Sequence, residues 1–403
     1  MKTVWILNHY AQEPGHPGGT RHFSLSRYLP TSGWRAFIIA ASVEHNTGRQ
    51  RLAEGEKTRL ENFDGVPFLW VRTPGYKGNG GGRIKNILVY FWRTLRPVTT
   101  RALPRPNVII GSTVHPLAAL SGMLLARRFR IPFIYEVRDL WPQSLIDIGE
   151  MRAGSFSARA LYWLERLLLR GAARIIVLLP QADKYIVPIG IPKERIVYLP
   201  NGVELCEIPA PPTDQNIFTL MYFGAHGQPN GLDCVLRAMH HLKGNPLAVR
   251  IRLRLIGNGS LKPGLVELAK KLDLDNVQFE PPVSKREIPA LASTADAFIF
   301  NLVDGPAFRF GISSNKLFDF LAASRPIIFS CKASNNPVNE AHAGLTVPPN
   351  QSEELAKSIL TMASLPIEER IRMGRSGRAY VEANHSFEQI AKRLASVLDE
   401  SLL

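Results

Sequence analysis

The segment GHPGGTRHF, Gly15–Phe23, follows the first predicted strand and opens onto a helix. Glycines let backbone N–H groups close on an anion, and a helix aims its positive end at the same point. Gly18 and Gly19 are therefore candidates for phosphate or substrate contact. The string is neither GxGxxG nor a P-loop, so a plain turn reads as well. His115 ends the strand Asn107–Ser112 just before a helix, at the carboxyl edge where parallel sheets bind ligands. Catalysis, substrate contact and simple helix capping all fit it. YEVRDLWPQSL, Tyr135–Leu145, sets Arg138 and Asp139 beside Trp141, which suits a polar ligand with one flat apolar face. A structural ion pair is equally open. FRFGISSNKLFDFLAASRPII, Phe308–Ile328, places Gly311, Ser313, Ser314 and Asn315 in a donor-rich loop before Lys316 and Asp319. Loop amides and Lys316 suit a diphosphate, and Asp319 suits two ribose hydroxyls. A capped amphipathic helix with solvated charges is the alternative.

Positioning these groups requires a layered scaffold. Short apolar runs alternate with helix-period segments along the chain, the pattern of parallel sheets covered on both faces. Predicted strands are Thr3–Asn8, Ala36–Ala41, Val66–Arg72, Asn107–Ser112, Pro132–Val137, Ala173–Leu179 and Arg195–Leu199. After NGVELCEIPAPPTD, Asn201–Asp214, which is rich in Pro, the alternation restarts. The second set is Phe218–Phe223, Val249–Ile256, Val277–Phe279, Ala297–Asn301 and Pro326–Ser330, and helices dominate from Ser352. The expected architecture is two Rossmann-like α/β domains facing across a cleft. The first spans residues 1–203, a linker spans 204–214, and the second spans 215–380. The last helix, 381–403, is expected to pack back on the first domain.

The chain's 403 residues carry a formal charge of +15, with 45% hydrophobic and 21% charged residues, which excludes a disordered chain. Residues 1–203 hold 28 Lys and Arg against 13 Asp and Glu, whereas the remainder holds 21 of each. The excess thus sits wholly in the first half and points to an anionic partner there, with a solvated basic surface as the alternative. Cys206, Cys234 and Cys331 form no metal or disulfide pattern. The opening MKTVWILNHY has too short an apolar run for a signal peptide, and no stretch approaches a membrane span. A cytoplasmic protein is expected.

Five blocks in order carry a family resemblance: LPNGV at Leu199–Val203, YFG at Tyr222–Gly224, Leu255–Leu272, Asn276–Phe300, and the Lys316/Asp319 segment. The chain resembles glycosyltransferase family 4, retaining enzymes of the GT-B fold that use nucleotide-sugars. GTRHFSLSRYL, EVRDLWPQSL and SNKLFDF further resemble the bacterial subgroup that builds O-antigens and related polysaccharides, some of whose members are L-fucosamine transferases. The resemblance implies that Gly18 and Gly19 sit by the donor diphosphate and sugar, and that His115 contacts the donor sugar. It places Lys316 by the donor diphosphate, Asp319 on the ribose, and Val283 and Ser284 beside the base; Gly224 and the loop residues Ser314 and Asn315 are further candidates for donor contact, and Arg309 is a candidate to replace missing phosphate-binding cations. Two departures stand out. Asp319 matches the last acid of the family's EX7E motif, but Phe308–Ser314 holds no first acid. The Arg and Lys that many members carry after the glycine matching Gly224 are replaced by AHGQPNG, Ala225–Gly231.

The implied reaction is transfer of an N-acetylated amino sugar from a UDP-sugar, with retention and without a metal or other cofactor. Asp139 would assist the acceptor, with Arg138 and Trp141 on the acceptor side. A GT-B sugar-nucleotide epimerase and a non-catalytic lipid-binding scaffold are the alternatives. Arg83–Arg105 holds six basic residues and no acid, interleaved with aromatic residues. Lys85, Tyr90, Phe91, Trp92, Arg93 and Arg96 read as an interfacial helix on anionic lipid, with a core-packed helix carrying a solvated basic face as the alternative. Docking on the inner leaflet, with a polyprenyl-diphosphate-linked acceptor and no nucleic acid, is the expectation.

Overall fold

The computed structural model describes residues 1–15, 20–45, 47–76, 78, 80–207 and 216–403. Gly18, Gly19 and most of the predicted linker therefore lie outside the described residues. Two compact units emerge: Met1–Asn201 together with Phe387–Leu403, and Gly202–Ser386.

The first unit carries β1 (Lys2–Leu7), β2 (Trp34–Ala41), β3 (Thr58–Phe63), β4 (Val66–Val71), β5 (Val108–Ser112), β6 (Phe133–Val137), β7 (Arg174–Val177) and β8 (Ile196–Tyr198). Their order is β3-β4-β2-β1-β5-β6-β7-β8. The pairings are parallel except β3 with β4, an antiparallel hairpin that closes on Gly65 at positive φ. Every residue of β4 and β5 is buried, which explains why those strands read as unbroken apolar runs. The helices α1 (Arg21–Tyr28), α2 (Gly81–Thr94), α3 (Pro116–Phe129) and α4 (Phe156–Gly171) cover the sheet. The C-terminal helix Phe387–Glu400 lays Phe387, Ile390, Leu394 and Leu398 into the same core as Phe23, Leu25 and Trp34. Each such side chain, fully removed from water, contributes about 1.5–3 kcal/mol.

The second unit carries β9 (Phe218–Phe223), β10 (Ile251–Ile256), β11 (Val277–Glu280), β12 (Ala297–Asn301), β13 (Ile327–Ser330) and β14 (Gly344–Val347). They form one parallel sheet ordered β11-β10-β9-β12-β13-β14. Helices α5 (Leu232–His241), α6 (Lys262–Lys271) and α7 (Asn315–Ala322) follow β9, β10 and β12 respectively. Tyr222, Phe298, Phe300, Phe320 and Phe329 are fully buried and fill the layers on either face.

The reading of 83–105 as one lipid-facing helix needs correction. Pro97 cannot donate to the preceding turn, and the chain breaks into α2 and a short turn, Pro97–Thr100. Tyr90 and Phe91 face the core, with Tyr90 fully buried and its hydroxyl donating to the Ile39 carbonyl at 2.7 Å. Arg93 spends a guanidinium N–H on the Arg72 carbonyl. The exposed apolar stripe is instead Ile84, Leu88 and Trp92, one residue per helical turn, with Lys85 and Arg96 exposed nearby. No described helix is long and apolar enough to cross a membrane.

Candidate active site

In the first unit, the polar groups gather at the carboxyl ends of β1, β5 and β6. His115 is the N-cap of α3, and its Nδ1 accepts the Ala118 backbone N–H at 3.3 Å. That bond fixes the tautomer: the ring proton resides on Nε2, which is buried and finds no partner among the described residues. Burial, reinforced by the Arg83 charge, pushes the His115 pKa down to about 3. His115 is thus a neutral hydrogen-bond donor rather than a proton shuttle.

A directional chain of hydrogen bonds supports this edge. The Tyr10 N–H donates to Asn8 Oδ1 at 3.1 Å, and Asn8 Nδ2 donates to His22 Nδ1 at 2.7 Å. His22 Nε2–H then donates to Glu136 Oε2 at 2.6 Å, while Arg21 Nε donates to Glu136 Oε1 at 3.0 Å. Arg21 also holds the carbonyls of Leu199 and Pro200. Burial alone would raise the Glu136 pKa, but His22 and Arg21 hold it well below the usual carboxylate range. Glu136 is therefore an ionised carboxylate in the interior, 2% exposed, with its charge paired. The sequence singled out GTRHF and EVRD separately, and this network is what joins them.

Beyond β6, the Arg138 backbone N–H donates to Thr113 Oγ1 at 2.9 Å. Asp139 is exposed, and its carboxylate has no hydrogen-bond partner among the described residues. Trp141 is partly buried and precedes a cis peptide bond to Pro142.

In the second unit, Gly224 ends β9 at φ 146° and Gly257 ends β10 at φ 144°. A Cβ on Gly257 would lie 1.9 Å from the Gly224 carbonyl oxygen, so the two strand ends approach this closely only with glycine at 257. Lys316 rises from α7 beneath this turn, and its Nζ donates to Asn230 Oδ1 at 2.5 Å and Tyr222 Oη at 3.1 Å. The Tyr222 hydroxyl and Asn230 Nδ2 both donate to the Ala225 carbonyl, which holds the 225–230 loop against the lysine. Lys316 meets no carboxylate among the described residues, and burial pushes its pKa down to about 7. The nearby Lys262 differs, since its ammonium is bound to the carbonyls of Gly257 and Glu280. In the segment Ala225–Gly231, which lacks the expected cations, Asn230 meets Lys316 and His226 is buried. Burial, Lys262 and Lys316 bring the His226 pKa down to about 4.

Asp319, one turn beyond Lys316, is largely buried with Lys285 Nζ 3.4 Å from its Oδ1. Burial raises its pKa despite that lysine. Because Lys285 follows Val283 and Ser284 directly, the ion pair brings the predicted base-side segment to the predicted ribose acid. The Ser284 N–H is held by Glu287 Oε2 at 2.9 Å. Ser314 is the N-cap of α7 but makes no side-chain cap bond, and Asn315 is exposed. The Leu317 and Phe318 N–H groups are taken by the Ser314 carbonyl, at 3.1 and 3.3 Å, which leaves those of Asn315 and Lys316 for an anion. Arg309 is exposed, donates to the Pro306 carbonyl at 2.8 Å and stacks on Phe310. Sequence reasoning passed over Lys285, Asn230 and the Arg21–Glu136–His22 network. Their roles depend on partners 34, 86 and 114 residues away.

Residues 18–202 match the family described as "Glycosyl transferase 4-like domain", and residues 217–364 match "Glycosyl transferases group 1". The chain is 23% identical over 332 residues to the Escherichia coli (strain K12) protein "Putative colanic acid biosynthesis glycosyl transferase WcaI", covering 76% of this chain and 79% of that one. Sucrose-phosphate synthase from Thermosynechococcus elongatus is similar in structure, with a TM-score of 0.75 at 17% identity over 99% of both chains. Anabaena HepE, solved in complex with UDP, gives 0.66 at 14% identity over 99% of this chain and 100% of that one. At these identities the structural likeness concerns the fold.

Proposed function

The chain belongs to the family-4-like glycosyltransferases of the GT-B fold, and from that premise we propose that it moves a sugar from a UDP-sugar to a lipid-diphosphate-linked glycan acceptor in bacterial surface-polysaccharide synthesis. One observation carries the donor assignment: Lys316, partly buried and without a carboxylate partner among the described residues, lies at the start of α7 beneath the Gly224 and Gly257 strand ends. A nucleoside diphosphate leaving group develops negative charge, and fixed donors stabilise that charge in the transition state. The Lys316 ammonium and the backbone N–H groups of Asn315 and Lys316 at the start of α7 supply them, without a metal cofactor. Asp319 accepts the ribose hydroxyls, and Val283 and Ser284 flank the base. HepE, a structural neighbour, was solved with UDP, and WcaI carries a colanic acid assignment in its name. Both support this direction.

The transferred group is an N-acetylated amino sugar and the configuration is retained, as the family resemblance implies. His115 contacts that sugar as a neutral donor. Asp139, an exposed carboxylate at the end of β6, positions the acceptor beside Arg138 and Trp141.

The basic first unit docks on the anionic inner leaflet through Ile84, Leu88 and Trp92 of α2, framed by Lys85 and Arg96. Exposed apolar side chains among cations are the composition of an interfacial helix.

Calorimetric titration with UDP, GDP and ADP tests the donor assignment. UDP should bind more tightly than the other two, and K316M should weaken UDP by about a hundredfold. Equal binding of all three, or an unaffected variant, would refute it.

A further inference from the structure

His9 was not singled out by any motif, yet it lies against His115, with ring centroids 4.7 Å apart. It follows β1, whose neighbour in the sheet is β5, so the two histidines emerge from adjacent strand ends. His9 is 1% exposed and His115 is 3% exposed.

The hydrogen-bond directions around His9 are fixed by Asn86. Asn86 Nδ2 donates to the Pro74 carbonyl at 2.6 Å, so its Oδ1 is the atom that faces His9 Nε2, also at 2.6 Å. His9 Nε2 must then carry the proton and donate, which leaves Nδ1 with a bare lone pair. That Nδ1 is buried and has no partner among the described residues. His115 has the opposite arrangement, with Nδ1 occupied by the Ala118 N–H and a proton on the orphaned Nε2. Two adjacent buried rings thus present one unmet acceptor and one unmet donor. Buried polar atoms are normally satisfied, so an orphaned pair of opposite character calls for a ligand.

Chemistry narrows what fits. A carboxylate or phosphate oxygen cannot donate to His9 Nδ1, and an ammonium cannot accept from His115 Nε2–H. A trans amide has both functions, but its N–H and C=O point apart and would need partners roughly 8 Å from each other. A hydroxyl donates and accepts through one oxygen, bridging nitrogens about 5 Å apart. We propose that His9 and His115 form a paired site that reads a single sugar hydroxyl, with His9 Nδ1 as acceptor and His115 Nε2–H as donor. The inference rests on the sugar-transfer reading. It adds His9 as a specificity residue that discriminates against deoxy and O-methyl sugars at one position. The hydroxyl belongs to either the transferred sugar or the acceptor sugar.

The test uses imidazole nitrogen NMR on histidine-labelled full chain, with UDP, UDP-glucose, UDP-N-acetylglucosamine and a short prenyl-diphosphate-linked N-acetylglucosamine as probes. UDP should perturb His226 and leave His9 Nδ1 unmoved. If UDP fails to move His226, the donor-nucleotide reading is at fault, not the pair. A sugar nucleotide that moves His9 Nδ1 assigns the hydroxyl to the transferred sugar. Movement with the prenyl-linked probe assigns it to the acceptor. In transfer assays H9Q, which keeps a donor towards Asn86 but removes the acceptor, should lose about tenfold or more in kcat/KM. H9N, which restores an oxygen near the Nδ1 position, should recover part of that loss although it sacrifices the Asn86 bond. His9 resonances identical in every arm, as a trapped water would leave them, would overturn the proposal. So would H9Q transferring at wild-type efficiency, or activities that follow thermal stability alone.

Discussion

Lys316 Nζ lies 3.1 Å from the Tyr222 hydroxyl and 4.5 Å from the centre of the same ring. An ammonium held by neutral partners and an aromatic face is stabilised much less than one beside a carboxylate. Burial pushes its pKa down to about 7, no carboxylate among the described residues offsets that, and the lysine is left ready for a diphosphate.

The first prediction concerns protons. A bound diphosphate favours the charged lysine and raises its pKa, so UDP binding near and above neutrality takes up a proton. Affinity should fall as the pH rises past 7, approaching tenfold per unit. Calorimetry in buffers of different ionisation heat measures the uptake, and K316M should abolish it. The same variant should be more stable than wild type at pH 7, because the unfolded chain binds the Lys316 proton more readily than the folded one does.

A second prediction separates the two roles of His115. H115A loses the α3 cap, costing about 1 kcal/mol, as well as the Nε2–H donor. H115Q keeps a donor near the same place and should retain more transfer than H115A. Because His115 stays neutral, the wild-type pH–rate profile should show no His115 inflection between about pH 5 and 8. An inflection there that disappears in H115Q would restore a proton-transfer role.

Glu136 yields a stability prediction. E136Q leaves Arg21 buried without its counter-charge and should cost about 3–5 kcal/mol in urea unfolding at pH 7. The carboxyl pKa is lower in the folded chain than in the unfolded one, so the contribution is present above the ordinary carboxylate pKa. It is lost as the pH falls through the folded value. The gap between wild type and variant should therefore narrow in acid.

The corrected face of α2 can be tested by contrast. W92A should weaken flotation with anionic liposomes while leaving thermal stability nearly unchanged, since Trp92 is 63% exposed. Y90F should do the reverse, because Tyr90 is buried and its hydroxyl bonds the Ile39 carbonyl. Loss of flotation with Y90F but not W92A would contradict the assignment.

These contrasts show where sequence reading succeeds. Strands such as Val66–Val71 are legible because a parallel sheet buries both faces, which leaves an apolar run. Thr58–Phe63 escaped notice because it is an edge strand that turns Leu60 to solvent and keeps Arg59 and Glu61 partly buried, so no apolar alternation marks it. In α2 the periodicity reveals an amphipathic helix but not which apolar stripe meets the core, and fully buried Asn86 inverts the expected polarity. Lys316 and Asp319 could be placed from local spacing on one helix. Their partners Asn230 and Lys285 could not, since they arrive from other loops. His9 was illegible for a further reason: its free nitrogen is defined by the orientation of the Asn86 amide.

The most direct measurement is incubation of the full chain with a panel of UDP-sugars and polyprenyl-diphosphate-linked saccharides, with products detected by mass. The account predicts an acceptor heavier by one sugar residue, formed in the presence of EDTA and strongly reduced in K316M. An isomerised UDP-sugar with the acceptor unchanged, or intact substrates throughout alongside undiminished lipid binding, would contradict it.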